Sequence, residues 1–407
     1  MTSLTFVQEI FRKYYVEQFP STISIPLIEK REFGFLFFEN QMVRHRSFPN
    51  VEELRIFMQN FVPSDVYYSC AYYENPTLEM DRKNWLGADL IFDIDADHIL
   101  TQCERVHDMW VCCSCGFSGK GITPEKCPLC GGEKFDVETW PCEVCLDSAK
   151  LEALKLLDIL QADFGLSKGD MRVFFSGHRG YHVHVECEDV KLLDSIARKE
   201  IVDYVCGVGM DLSFHLTFDE RSLKKKVSLF DHGLSKRLID GFQAFLMDAR
   251  EDDLKKLNFR KNVINAILQN KNVLLKNLLS GMRRPVKGVG SKTIMKLMGH
   301  VLTMRSAKID TVVTTDVHRL IRMPETLNSK TGFKKAEVPI SKIDTFDPFK
   351  DAVAFKEGEV KVNVMEAPRF RIGDEIFGPY RDKKVELPLA AALLLICRGR
   401  AEVLNNV

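Results

Sequence analysis

The sequence has no excess of charge of either sign. Across its 407 residues, 57 lysines and arginines balance 57 aspartates and glutamates. A zero net charge excludes long-range attraction of the whole chain to a polyanion, so any nucleic-acid site has to be a local basic patch. The 45% share of hydrophobic residues is enough for a large core and one or two domains.

Long hydrophobic runs are also missing. The first residues, MTSLTFVQEIFRKYY, do not place an apolar stretch behind a basic start, as a signal peptide would. The longest apolar run, from Leu387 to Cys397, is too short to span a bilayer. We therefore expect an intracellular protein, cytoplasmic in a prokaryote, with no membrane partner.

Repeats and low-complexity tracts are absent, so changes of pattern divide the chain. The segments that differ are a mixed helix and strand region at 1–100, a cysteine-rich region at 103–145, a largely helical region at 191–304 and short antiparallel strands at 352–389. We predict an α+β protein with mixed β-sheets. Its core would comprise 1–190 and 305–407, interrupted by an insert at 103–145 and a helical subdomain at 191–304.

An acidic strand ends the first region. From Leu90 onward, apolar residues alternate with Asp93, Asp95 and Asp97, which puts the acids on one face of a strand. Like charges at i and i+2 are costly unless something neutralises them, and two divalent cations about 3.5 to 4 Å apart would do so. A strand that runs into solvent can also carry acids, so both interpretations stay open.

Groups that can bind phosphate surround a glycine-rich turn. The turn at 176–180, Ser-Gly-His-Arg-Gly, lies between two β-rich runs, and His182 follows on the second. Glycine lets main-chain amides approach an anion, and arginine holds phosphate oxygens in a fixed fork. The alternative is an ordinary hairpin turn with a surface arginine, in which His182 or His184 is a core histidine.

A third element combines an isolated acid with basic residues. Asp310 lies in a strand-like stretch, KIDTVV, and the TTDVHRLIR segment after it predicts a short capped helix that carries Arg319 and Arg322. Lys330 follows in a loop, NSKTG. A surface helix with solvated arginines is the alternative.

Eight of the twelve cysteines lie between positions 103 and 145. In a large chain without a signal peptide, this crowding favours metal-bound thiolates over disulfides. Two complete sets of four zinc ligands can be drawn: an inner set of Cys112, Cys115, Cys127 and Cys130, and an outer set of Cys103, His107, Cys142 and Cys145. Both would be structural, because four protein ligands leave no open position on zinc.

In this order, the elements resemble the small catalytic subunit of archaeal and eukaryotic DNA primases. That family pairs an Arg-Glu-Phe stretch with a later arginine, here Arg31-Glu32-Phe33 and Arg44. The resemblance continues through FDID, SGxRGxH and KID to a VPI…FDPF stretch at 338–349, and thus covers most of the chain. The outer zinc set resembles the structural zinc site of the family, and the inner set would be an extra module.

The resemblance implies a primase-type catalytic core and roles for single residues. Asp93, Asp95 and Asp310 match the acids that hold two Mg²⁺ or Mn²⁺ ions. Ser176, Arg179 and His182 match the groups that hold the incoming triphosphate. Further positions that match contacts beside this site are Glu32, Arg44, Arg322 and Lys330.

Two acidic or polar positions depart from the pattern of that family. Asp97 has no counterpart, so we expect a strand-end acid rather than a metal ligand. Asn328 stands where the family usually has a histidine. Because an amide carries no charge, this departure puts the affinity for the triphosphate in doubt.

The activity that the resemblance implies is primer synthesis on single-stranded DNA from nucleoside triphosphates, in a heterodimer with a large subunit. Two functions remain as alternatives. One is a repair or gap-filling polymerase of the same superfamily. The other is a non-catalytic, zinc-ribbon nucleic-acid-binding subunit with a decayed core, which the three intact acids disfavour.

Overall fold

The computed structural model describes residues 2–99, 101–103, 105–212, 233–280 and 286–404. It divides into two compact units. The first, here the sheet unit, comprises Met1–Ala153, Lys168–Lys199 and Ile309–Val407. The second, here the helical unit, comprises Leu154–Ser167 and Glu200–Lys308. The α+β class predicted from the sequence is confirmed.

The strands of the described residues all belong to the sheet unit. The first nine are β1 Phe33–Leu36, β2 Met42–Arg46, β3 Asp65–Ser69, β4 Ala71–Tyr73, β5 Trp85–Ala88, β6 Leu90–Asp95, β7 Met109–Cys112, β8 Ser118–Lys120 and β9 Phe135–Glu138. The others are β10 Met171–Phe175, β11 Gly180–Val185, β12 Leu320–Arg322, β13 Ala336–Val338, β14 Glu359–Ala367, β15 Phe370–Ile372, β16 Glu375–Phe377, β17 Tyr380–Pro388 and β18 Ala401–Val403.

Short and medium helices accompany these strands. The α-helices of the sheet unit are Ser3–Lys13, Val51–Phe61, Glu188–Lys191, Thr311–Thr315, Pro348–Asp351 and Leu389–Cys397. Two further helices, Glu143–Ala162 and Ser195–Cys206, include residues of both units. No helix of the described ranges is both long and apolar enough to cross a bilayer.

Two four-stranded sheets organise the sheet unit, with strand orders β13-β10-β11-β6 and β12-β3-β1-β2. In the first, Phe92 and Ile94 of β6 are fully buried, whereas Asp93 and Asp95 remain partly exposed on the other face. The alternation predicted for this strand is therefore confirmed. The predicted strand, turn and strand around the glycine turn are confirmed as β10 and β11.

The prediction of mixed sheets is wrong for the described residues, because every strand pair there is antiparallel. Neighbours such as β10 and β11 are joined by a four-residue turn. A parallel pair needs a crossover of a dozen residues or more.

The segment after Asp310 also differs from the prediction. Asp310 forms an isolated bridge with Asp93 and is the N-cap of the helix Thr311–Thr315, its side chain accepting a hydrogen bond from the amide of Val312. The residues from Leu320 to Arg322 are not helical but pair with β3. Tertiary pairing thus overrides the local capping signal.

The helical unit has its own apolar core. Its remaining helices are Gly233–Asp248, Glu251–Lys256, Lys261–Gln269, Lys271–Ser280 and Ser291–Arg305. Leu234, Leu238 and Phe242 recur at four-residue spacing and pack with Leu297 and Val301 in one buried cluster. Positions 213–232 and 281–285 of the predicted helical region lie outside the described residues.

Candidate active site and metal centres

Strand β6 holds the first two predicted acids side by side on one face. Asp93 lies opposite His182 of β11, with 3.5 Å between Asp93 Oδ1 and His182 Nε2. Asp310 joins them through its backbone amide, which donates to the carbonyl oxygen of Asp93 at 2.8 Å. The fold therefore brings the three acids to one edge of the sheet, although Asp310 is remote in sequence.

Burial and neighbouring acids raise the pKa values of the two acids on β6. Burial, together with the charges of Asp95 and Asp310, raises the pKa of Asp93 to about 7. Burial and the neighbouring Asp97 raise the pKa of Asp95. A bound divalent cation would relieve this repulsion, because it favours the ionised form of each carboxyl group.

Two of the three acids accept hydrogen bonds from nearby backbone amides. Asp95 Oδ1 accepts from Asp97 at 2.9 Å, and Asp310 Oδ1 accepts from Val312 at 2.9 Å. In the described part of the chain, only the two cysteine-rich sets bring three or more ligand atoms within 4.8 Å of one another. The carboxylate oxygens of the three acids that accept no backbone hydrogen bond are the ones that could face a cation.

Ser176 shapes the glycine turn between β10 and β11. Its hydroxyl oxygen accepts hydrogen bonds from the amides of His178 and Gly180, at 3.3 and 3.2 Å. Gly177 has φ of +81°, and a Cβ there would lie 3.2 Å from Cβ of Asn328. Only glycine combines this backbone conformation with such close packing against the NSKTG loop.

Arg179 is fully buried and uses most of its donors on carboxylates. One terminal nitrogen donates to both oxygens of Asp108, at 2.8 and 2.7 Å, and the other donates to Asp97 at 2.5 Å. Its Nε is buried without a partner among the described residues. The sequence predicted a phosphate contact here, whereas the guanidinium in this structure ties the turn to the end of β6.

Asp108 links Arg179 to the outer cysteine set. Its Oδ1 lies 2.8 Å from Nδ1 of His107 and accepts from the amide of Trp140 at 2.9 Å. Burial would lower the pKa of His107, but the bond to Asp108 and the neighbouring cysteines raise it to about 10. The sequence analysis missed Asp108, although a carboxylate that orients a metal-binding histidine is a common arrangement.

The NSKTG loop contacts the glycine turn directly. Thr331 donates its hydroxyl proton to the carbonyl oxygen of Gly177 at 2.6 Å. Asn328 is buried, and its side-chain oxygen accepts from the amide of Lys330 at 2.9 Å. Asn328 therefore shapes the loop that carries Lys330, a role that the sequence comparison with the histidine did not suggest.

Arg322 and Arg44 are each paired with a buried acid. Arg322 donates to Asp65 and to the carbonyl oxygen of Leu327. Glu32 accepts from Arg44 at 2.9 Å and from the buried Lys83 at 2.8 Å. Lys83 and Asp65 carry no motif of their own, so the sequence analysis missed both.

The outer cysteine set has the geometry of a metal centre. Sγ of Cys103 lies 3.5 Å from Sγ of Cys145 and 3.4 Å from Nε2 of His107. All four ligand atoms, including Sγ of Cys142, lie within 4.8 Å of one another. Zinc bound by sulfur at about 2.3 Å requires ligand separations of about 3.8 Å in a tetrahedron, which this set can reach with small shifts.

The inner set is equally compact but more exposed. The sulfurs of Cys112 and Cys130 are 3.6 Å apart, and those of Cys115 and Cys127 are 3.7 Å apart. Cys115 and Cys130 are exposed. Cys112 ends β7 of the small sheet β8-β7-β9, and the other three cysteines lie in the loops between its strands. Each of the two predicted sets corresponds to a cluster in space.

Comparisons with known proteins show the family of this chain. A model of the family described as DNA primase small subunit matches residues 137–340. The chain is 31% identical to the DNA primase small subunit PriS of Nitrosopumilus maritimus over 99% of both chains. It is 33% and 34% identical to proteins of the same name from Cenarchaeum symbiosum and Methanothrix thermoacetophila, over 98% of both chains in each case. The chain therefore belongs to the DNA primase small-subunit family.

Proposed function

We propose that this chain synthesises short primers on single-stranded DNA by two-metal nucleotidyl transfer, with Asp93, Asp95 and Asp310 as the metal-binding acids. Membership of the family makes the chain the catalytic, nucleotidyl-transferring subunit of a DNA primase. The observation that carries the assignment of the acids is the bridge that sets Asp310 against Asp93 at the edge of the sheet.

The residues around the three acids would have different roles, which depend on their positions and charges. Two Mg²⁺ or Mn²⁺ ions, when bound, would activate the 3′-hydroxyl nucleophile and stabilise the leaving pyrophosphate. Burial and the nearby Lys335 hold the pKa of His182 well below its usual range. The imidazole of His182 would therefore be uncharged when it donates a hydrogen bond to the triphosphate. Ser176 and Arg179 would position the turn. Lys330, and Arg322 beside its partner Asp65, would contact the triphosphate.

We also propose a division of the chain into a core and two insertions. We assign 1–190 and 305–407 to a primase-type catalytic core, 103–145 to a zinc-binding insert and 191–304 to a helical subdomain. Glu32 and Arg44 would lie beside the nucleotide. The partners would be a single-stranded DNA template, nucleoside triphosphates and a primase large subunit.

A primer-free assay tests the proposed function. We expect the protein, supplied with a single-stranded template, nucleoside triphosphates and Mg²⁺ or Mn²⁺, to start new chains. Product that appears only when a primer is annealed would favour a gap-filling polymerase instead. Template binding with no incorporation under either condition would favour a non-catalytic subunit.

We also propose that both cysteine sets bind structural zinc, and that Asp108 holds His107 in position for the outer ion. Replacing Asp108 by Asn removes one acceptor oxygen and the charge opposite Arg179. Loss of such an orienting carboxylate weakens metal binding about 10- to 100-fold. We expect faster loss of zinc to a chelating dye, together with a lower unfolding temperature.

The exposed Asp136, on β9 of the same insert, offers the matched control. Asp136→Asn should release zinc at the wild-type rate. Equal release from the two variants would show that Asp108 does not support the metal centre.

A further inference from the structure

An arginine from the C-terminal part of the chain lies at the glycine turn. Arg398 directly follows the helix Leu389–Cys397, and its guanidinium donates to Nε2 of His178 at 2.8 Å. Its Nε is buried and has no hydrogen-bond partner in the described ranges. The match to the family model ends at residue 340, so that match gives Arg398 no role.

The position of Arg398 is built into the fold. The helix before it is almost entirely buried. Leu393 of that helix packs so closely on the NSKTG loop that a Cβ at Gly332 would lie 2.6 Å from its side chain. Because the same loop contacts the turn through Thr331 and Gly177, the helix holds Arg398 beside both elements without a flexible linker.

Positive charge at this turn exceeds its local neutralisation. Burial first, and then the charges of Arg398, Arg179, Lys330 and Arg322, hold the pKa of His178 well below its usual range. Of these four cations, Arg179 is neutralised by Asp97 and Asp108, and Arg322 by Asp65. Among the described residues no ion pair within 4.0 Å joins Arg398 or Lys330 to a carboxylate, although the charges of Glu138 and Asp108 act on Arg398 from farther away.

Two cations that lack a carboxylate contact, at a glycine turn, fit an anion. Arginine presents a planar fork that matches two phosphate oxygens. Burial lowers the pKa of Arg398 to about 10, so the side chain keeps its charge at neutral pH. The imidazole of His178 is uncharged at neutral pH and accepts from Arg398, so it can orient the fork without competing for the anion.

We infer that Arg398 binds the phosphate tail of the incoming nucleoside triphosphate, together with Lys330, at the turn formed by Ser176 to Gly180. The inference rests on the triphosphate site proposed above and extends it to a residue from outside the three motif-bearing elements. A purely structural role, in which Arg398 only fixes the ring of His178, is the competing explanation.

Three substitutions separate these roles. Arg398→Ala removes both the charge and the bond to His178. Arg398→Gln keeps an amide donor for His178 but carries no charge, and Arg398→Lys keeps the charge without the fork. Arg400→Ala is the matched control, because Arg400 is only two residues away but is paired with Glu138 at 2.8 and 2.6 Å.

Two measurements apply to each variant. Titration with inorganic tripolyphosphate, followed by the shift in unfolding temperature, reports binding of the phosphate tail without any chemistry. Steady-state kinetics on a fixed template reports the Michaelis constant for nucleotide and kcat. Wild-type protein that binds tripolyphosphate but incorporates no nucleotide would contradict the proposed function while leaving this inference intact.

We expect Arg398→Ala and Arg398→Gln to raise the Michaelis constant about tenfold or more and to weaken tripolyphosphate binding to a similar extent. Arg398→Lys should recover part of both, and Arg400→Ala should change neither. The free Arg398→Ala protein should unfold at the wild-type temperature or above, because a repelling cation is gone. Wild-type values for Arg398→Gln, or unchanged tripolyphosphate binding in Arg398→Ala, would overturn the inference.

Discussion

Asp93→Asn is expected to reduce nucleotide incorporation on the order of 10³-fold, a loss at the upper end of what removal of one electrostatic catalytic group causes. The asparagine amide keeps the shape of the side chain and can still face His182 at 3.5 Å. It cannot neutralise a divalent cation. Template binding should persist, because Asp93 is an acid and does not belong to a basic patch.

The same substitution should stabilise the metal-free protein, and the gain should depend on pH. In the folded protein Asp93 keeps its proton to a pH of about 7, since burial and two neighbouring acids raise its pKa, whereas in the unfolded chain it ionises near 3.8. Folding of the wild type therefore becomes less favourable as pH rises through this interval. Asparagine has no such dependence.

Thermal unfolding of both proteins between pH 4 and pH 8, without divalent ions, measures this difference. The free energies of unfolding should nearly match near pH 4. At pH 8 that of the variant should exceed that of the wild type by about 4 kcal/mol, at about 1.4 kcal/mol for each unit of pKa between 3.8 and about 7. Added Mn²⁺ should stabilise the wild type more than the variant. Asp81→Asn, at an exposed position, is the control. Incorporation by Asp93→Asn within a few-fold of wild type would remove Asp93 from the metal site.

The sequence predicts the acidic strand and the glycine turn well because both obey local rules. The alternation of apolar and acidic residues determines the face of β6 on which Asp93 and Asp95 lie. Gly177 adopts a positive φ, which is typical of glycine in turns. The segment from Leu320 to Arg322 escaped prediction because its pairing with β3 is a long-range contact. The local sequence favoured a helix, and no residue nearby in sequence indicates the pairing with β3.

Ion pairing explains why the arginines were harder to interpret. Arg179 and Arg322 stand in motifs, but whether each holds a phosphate or a carboxylate depends on Asp108 and Asp65, which the chain brings from elsewhere. Arg398 belongs to no motif and reaches the turn only because a buried helix ends there. The positions of charges in space, rather than in sequence, decide which cations stay available to a ligand.

The two cysteine sets are expected to differ sharply in what their loss does to the protein. Cys145 is fully buried in the first turn of the helix Glu143–Ala162, and its set connects through His107 and Asp108 to Arg179. Removing a structural zinc removes folding free energy, about 10 to 16 kcal/mol in isolated zinc peptides. Cys145→Ser should therefore lose the outer ion and much of the stability of the sheet unit.

Cys130→Ser supplies the comparison, because Cys130 is exposed and its set lies on the small sheet of β7, β8 and β9. We expect this variant to lose one zinc per chain, to become sensitive to proteolysis between Cys112 and Cys130, and to unfold within a few degrees of wild type. Metal analysis and thermal unfolding of both variants, purified without chelator, provide the measurement. Equal losses of stability in Cys130→Ser and Cys145→Ser would contradict the expected difference between the two sets. The link from the outer set through Asp108 to Arg179 would then add little to the stability of the protein.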